Sequence, residues 1–199
     1  MLYLYDEAIA EDLKRSFNTD FIGCDQVKVI DFEQAIDLIA QIKQDHIKFP
    51  IVTLERDSRV DIDTSRTNFT MMHKGVACVF DNKTNTYYNE KVIPIKLSYE
   101  LSVIATNTSD IDELVREIIF KYISMYFLTI KLPYESDRRV RFGVSIDKDY
   151  TIERSSGSSE YINSGQLYLS KLKLNCEGCV MVDYTPVKLR RVAYELDYQ

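Results

Sequence analysis

Tryptophan is absent from the 199 residues, and glycine (6), histidine (2) and cysteine (4) are all scarce. Each shortage removes a class of function. With so few glycines there is no Gly-x-Gly-x-x-Gly turn, no Walker-type loop and no Gly-x-Ser-x-Gly elbow, so neither a nucleotide cradle nor a nucleophile elbow is indicated. A hydrolase needs a base beside its nucleophile. The two histidines offer none: His46 closes an expected helix, and His73 follows Met71-Met72 in an expected turn. No apolar run approaches the ~20 residues of a bilayer span. The apolar start Met1–Tyr5 meets Asp6-Glu7 without a basic flank, unlike a signal peptide. The cysteines are accordingly expected to stay reduced.

Hydrophobic residues make up 45% and charged residues 28%, which describes an ordinary folded protein with a real core. The net charge of −6 does not suit binding of nucleic acid by phosphate neutralisation. Tyrosine is plentiful at 14, and its apolar body with a polar tip suits interfaces.

Periodicity predicts three helices. Asp6 caps the first, with Ile9, Leu13 and Phe17 at four-residue spacing. The second runs from Asp31 to about Asp45, with Phe32, Ala35, Ile36, Ile39 and Ile42 as its apolar stripe. In the third, Ser109 and Asp112 close the N-terminus, and Ile111, Leu114, Val115, Ile118, Ile119, Tyr122 and Ile123 follow. The clearest strand runs from Ile95 to Ala105, with Leu97, Tyr99, Leu101 and Val103 on one face and Lys96, Ser98, Glu100 and Ser102 on the other. Shorter strands are expected at Val27–Ile30, Ile51–Leu54, Val76–Phe80, Val140–Ile146, Leu167–Leu174 and Val180–Tyr184. Strands and helices come in clumps. The expected fold is a single α+β domain over 1–199, with a mixed or mostly antiparallel sheet and amphipathic helices on one face. A long loop at 56–68, a serine-rich flexible excursion at 154–166 and a C-terminal arm at 187–199 complete it.

Cys176-Glu-Gly-Cys179 has half the spacing of a zinc site, which Cys24 and Cys78 could complete. A second close pair is missing, so a tight turn between two strands is the expectation. Asp57, Asp61, Asp63, Asp147 and Asp149 lack the glycine and distal glutamate of a calcium loop and read as solvated. No catalytic, cofactor-binding or metal-ligating residue is expected. The basic knot Arg138-Arg139-Val-Arg141 could grip phosphate or form a charge cluster at a strand edge or subunit contact.

The segment Pro94-Ile-Lys-Leu-Ser-Tyr-Glu-Leu-Ser-Val103, leading into Ile111-Asp-Glu-Leu-Val-Arg-Glu-Ile-Ile119, resembles the tail-completion and tail-terminator (sheath-stabilising) proteins of tailed bacteriophages. The matching positions are Pro94, Ile95, Lys96, Tyr99, Glu100 and Leu101. Phe49-Pro-Ile-Val-Thr-Leu-Glu-Arg56 resembles that family's strand before its long loop. Ser155–Ser159 and the Cys-Glu-Gly-Cys segment depart from the pattern. The resemblance implies a non-enzymatic virion protein, assembled in the host cytoplasm into a six-fold ring at the tail–neck junction. Its implied partners are itself, the tail tube and sheath, and a neck or head-completion protein. DNA would pass through the channel without specific binding, and no membrane or cofactor is involved. Arg56, Arg59 and Arg66 of the long loop, then Arg139 and Arg141, are the candidate interface residues. The alternatives are another neck or baseplate component, a small metal-dependent enzyme, and a host-directed accessory binder.

Overall fold

The computed structural model describes residues 1–17, 27–29, 49–63, 75–132, 138–147, 153–157 and 167–181. In chain order the elements are α1 (Tyr3–Phe17), β1 (Val27–Val29), β2 (Ile51–Ile62), β3 (Gly75–Asp81) and β4 (Thr86–Ala105). They continue with α2 (Thr108–Tyr122), β5 (Tyr126–Lys131), β6 (Arg138–Ile146), β7 (Glu153–Gly157) and β8 (Leu167–Met181). The expected helix at 31–45 and the arm at 187–199 lie outside the described residues.

The strands form one sheet in the order β1-β2-β4-β3-β6-β8-β7, with β5 on β6 and a further pairing of β4 with β8. Among the described strands only β1–β2 is parallel. The architecture is α+β with a mostly antiparallel sheet. β4 is its axis. Its first part forms a hairpin with β3, and its second part lies between β2 and β8. Asn85 closes the hairpin with φ 53°, a left-handed conformation that asparagine tolerates better than most residues.

The alternation from Ile95 to Ala105 works as expected. Leu97, Leu101 and Val103 are fully buried and Tyr99 nearly so, while Lys96 is exposed. Leu101 stands between Leu54 of β2 and Leu172 of β8, themselves buried. Replacing it by alanine is expected to cost about 2–5 kcal/mol. Chemical denaturation checks this, and an unchanged midpoint would refute the central placement.

Both described helices cover the same face. Tyr5 of α1 meets Phe142 of β6 edge-on at 4.8 Å, and α2 lies across β4, β8 and β6. α1 buries Tyr5, Ile9, Leu13 and Phe17, and α2 buries Ile111, Leu114, Val115, Ile118 and Tyr122. Their helical starts differ from the sequence expectation. α1 begins at Tyr3, which puts Asp6 in its first turn, where a carboxylate favours the dipole. α2 is capped by Asn107, whose side-chain oxygen accepts the Ser109 N–H at 3.1 Å. Ser109 is therefore inside the helix.

Parts of two expected loops and one expected turn prove to be strand, while 64–68 and 158–166 lie outside the described residues. Residues 56–62 of the presumed 56–68 loop continue β2; Arg56 pairs with Tyr99 and Val60 with Leu97, so three residues bulge against one. The Asp57 carboxylate accepts the Arg59 N–H at 3.0 Å across that bulge. The bulge and outward exposure from Asp57 to Ile62 hide the strand's period from a sequence reading. Residues 153–157 of the serine-rich segment pair with β8 from Lys171 to Leu167. Cys176-Glu-Gly-Cys179 is no turn; it runs straight through β8, opposite Leu97 to Pro94. Gly178 is needed there because a Cβ would lie 2.8 Å from the Tyr5 ring.

Candidate assembly surface

Two tyrosines fasten α1 to the sheet, and a third fastens α2 to α1. The Tyr5 hydroxyl donates to the Cys179 carbonyl at 2.7 Å and accepts its N–H at 2.8 Å. Tyr99 donates to Asp6 Oδ1 at 2.9 Å, and the Arg56 guanidinium spans both Asp6 oxygens at 3.0 and 2.8 Å. Tyr122 donates to Asp12 Oδ2 at 2.6 Å, the atom that also holds Lys121 Nζ at 2.6 Å. Lys121 further donates to Ser16 Oγ, whose own proton goes to the Asp12 carbonyl at 2.8 Å. The Lys121 ammonium lies 4.9 Å from the Tyr126 ring centre, a cation–π contact.

Burial, foremost, pushes the phenols of Tyr5, Tyr99 and Tyr122 well above their usual range. For Tyr99 the Asp6 charge adds to this, and for Tyr122 the hydrogen bond to Asp12 does. Burial likewise raises the thiols of Cys176 and Cys179. Both cysteines are buried in β8 near Tyr5, and a zinc ion would need two further ligands beside them. Cys24 lies outside the described residues. Among the described residues no three His, Cys, Asp or Glu side chains converge as a metal would require.

Beside the Asp12 cluster, between α1 and the end of α2, is a cavity of about 350 Å³ lined by Leu13, Phe17, Ile118 and Phe120 among others. Lys121 and Ser16 reach its wall, but each is bound to the other and to Asp12. The cluster is saturated by its own members, which is what a buried polar network needs in order to hold two helices together.

Surface chemistry concentrates instead where α2 passes into β5. Phe120 is 72% exposed, Ile123 62% and Phe127 52%, with Met125 and Tyr126 more than a third exposed. The sequence reading had placed Ile123 in the core stripe. Ile123 is the C-cap, with helical backbone and its N–H on the Ile119 carbonyl at 2.8 Å, but it stands on the outer side of the stripe with Phe120 and is exposed. On β5–β6 the register pairs Phe127 with Gly143, Thr129 with Arg141 and Lys131 with Arg139. Alternation puts these side chains on the face away from the helices, since Phe142, Val140 and Ile130 between them are buried. Arg141 lies 4.2 Å from the Phe127 ring centre. Met125 folds over Gly143 so closely that a Cβ there would meet its sulfur.

Of the five arginines expected at an interface, Arg139 and Arg141 therefore come together, both exposed. Arg56 is turned inward onto Asp6, and Arg59 is exposed on the β2 bulge, with β4 and β3 intervening between that strand and β6. Arg66 lies outside the described residues. Arg138 of the basic knot is paired to Glu90 at 2.5 Å. Asp57 and Asp61 are exposed as expected, but Asp63 is buried, its N–H given to the Pro94 carbonyl at 3.0 Å. His46, His73 and Asp149 lie outside the described residues.

Fold and surface together define a class: an α+β protein with a mostly antiparallel sheet, polar posts inside and an aromatic, basic face outside. The chain matches no protein-family profile and no curated protein sequence.

Proposed function

We propose that this chain is a structural subunit of a tailed-phage virion that assembles as a ring, terminates the tail tube or sheath and joins it to the neck. The observation that carries this reading is a pair of exposed apolar patches, Phe120 with Ile123 at the end of α2 and Met125 with Phe127 at β5 beside Arg139 and Arg141. Clustered exposed apolar side chains favour a contact with another macromolecule. The residues behind the resemblance fit the same picture as framework. Leu101 and Tyr99 are buried in β4, and Pro94 stands where the β2 ladder ends, a place that tolerates a missing N–H. The partners on this reading are further copies of the chain, the tube and sheath, and a neck protein. The net charge of −6 lets DNA pass without adhering.

Electron microscopy of virions labelled for this chain tests the proposal. Label at the junction of tail and neck is expected. Label at the baseplate would support a different virion component. No label on particles, with turnover of a substrate by the purified chain, would favour an enzyme and overturn the reading.

A further inference from the structure

The outward face of α2 and the outward face of β5–β6 are chemical complements. Over its first turns α2 presents Asp110, Asp112, Glu113 and Glu117 against the single guanidinium of Arg116, which pairs with Glu113 at 3.0 Å and Glu117 at 3.4 Å. Its last turn presents Phe120, followed by Ile123. The helix is thus acidic at one end and apolar at the other. The β5–β6 face repeats this gradient with the opposite sign. Met125 and Phe127 stand at its apolar end, and Arg141, Arg139 and Lys131 follow along the ladder. Among the described residues of the neighbouring strand β8, Glu177 stands at the apolar end of this face, opposite Gly143.

The two faces look away from the sheet on opposite sides. α2 covers the side on which Tyr122 meets Tyr126 edge-on at 5.7 Å, whereas Phe127 and Arg141 point to the other side. One chain cannot bring them together, but two copies can. We propose that the acidic-to-apolar face of α2 in one copy docks on the basic-to-apolar face of β5–β6 in the next. The apolar ends meet at the centre, and the carboxylates of α2 meet Arg139, Arg141 and Lys131. Such a contact uses two different patches, so it is head-to-tail and propagates to a ring or a filament rather than closing as a two-fold dimer. Like charges arrayed on each face disfavour face-to-face pairing of identical surfaces, which sets the polarity of the contact. This rests on the ring reading and gives it its copy-to-copy interface.

Charge exchange tests the pairing, read as mass in solution by sedimentation over a range of concentrations. The unaltered chain is expected to form multiples of its 23.2 kDa mass. Arg139→Glu with Arg141→Glu should reduce it to single chains, as should Glu113→Lys with Glu117→Lys. Mixing the two altered chains should restore mixed multiples, since the acidic α2 of one meets the basic face of the other and the two reversed faces are complementary as well. All four substitutions in one chain should restore the multiples. Circular dichroism verifies folding; if a reversal unfolds, the charge-neutralising Arg→Gln and Glu→Gln changes at the same positions should each lower the associated fraction. Association unaffected by either reversal, or not restored by the exchange, overturns the interface while virion labelling still judges the ring reading. Single chains from the unaltered protein at every concentration overturn it as well.

Discussion

Alkali is expected to unfold this protein cooperatively shortly above about pH 10, where phenols ordinarily ionise. Tyr5, Tyr99 and Tyr122 are buried with their hydroxyls bonded, and their pKa values are pushed up by burial first of all. The thiols of Cys176 and Cys179 are raised by the same cause. The folded state therefore keeps protons that the unfolded chain releases, from about pH 8.5 for thiols and about pH 10 for phenols. Stability is fully present below those values and falls as pH rises towards the raised ones. Each strongly raised group removes about 1.4 kcal/mol per pH unit, so Tyr5, Tyr99, Tyr122 and Cys176 together exhaust a typical reserve of about 5–15 kcal/mol within two or three units. Tyrosinate absorbance should rise in two stages, the second coinciding with loss of circular dichroism. A single ordinary titration with the fold intact would refute the buried hydrogen-bonded phenols.

The abundance of tyrosine suggested interfaces, yet Tyr5 and Tyr99 serve as posts between helix and sheet and Tyr122 as one between the helices. A lone sequence cannot distinguish the uses, because both need an apolar ring with a polar tip. β4 from Ile95 onward and the stripe of α2 were legible because each has one wet and one dry face, which imposes a period. The first part of β4 was not, since Tyr87, Tyr88 and Glu90 make a twisting hairpin with weak alternation. Gly178 shows the limit most clearly. Between two cysteines it reads as a turn, and its actual reason, the ring of Tyr5 pressed on the backbone, lies 173 positions away in sequence. β7 takes its conformation from pairing with β8, a tertiary effect that overrides its serine-rich composition. At the surface, Arg139 and Arg141 were recognisable from charge on a strand. Phe127 was not, because an aromatic in a short strand ordinarily points inward. The available signal was Phe120, which stands off the apolar stripe of α2 on its otherwise charged face.

Loss of the Asp12 carboxylate should be among the most damaging single changes to the fold. Asp12 is 6% exposed on α1, and both Lys121 and Tyr122 of α2 bind its Oδ2 at 2.6 Å. In Asp12→Ala the Tyr122 hydroxyl loses its acceptor, and the Lys121 ammonium is left largely buried without its counter-charge. Removing one partner of a buried ion pair costs about 3–5 kcal/mol, far more than an exposed pair, because the remaining charge is still desolvated. The same argument gives the pattern that distinguishes a structural network from a mere contact. Replacing all three groups by apolar ones, Asp12→Leu with Lys121→Met and Tyr122→Phe, leaves no uncompensated charge or hydroxyl, and Ser16 keeps its bond to the Asp12 backbone carbonyl. That triple variant should recover most of the loss, as apolar substitution of a buried pair often does. Denaturant midpoints of the single and triple variants decide it. A single variant within about 1 kcal/mol of the unaltered protein would mean that the cluster does not hold α1 to α2. A triple variant less stable than Asp12→Ala would mean that packing, not charge, limits the site.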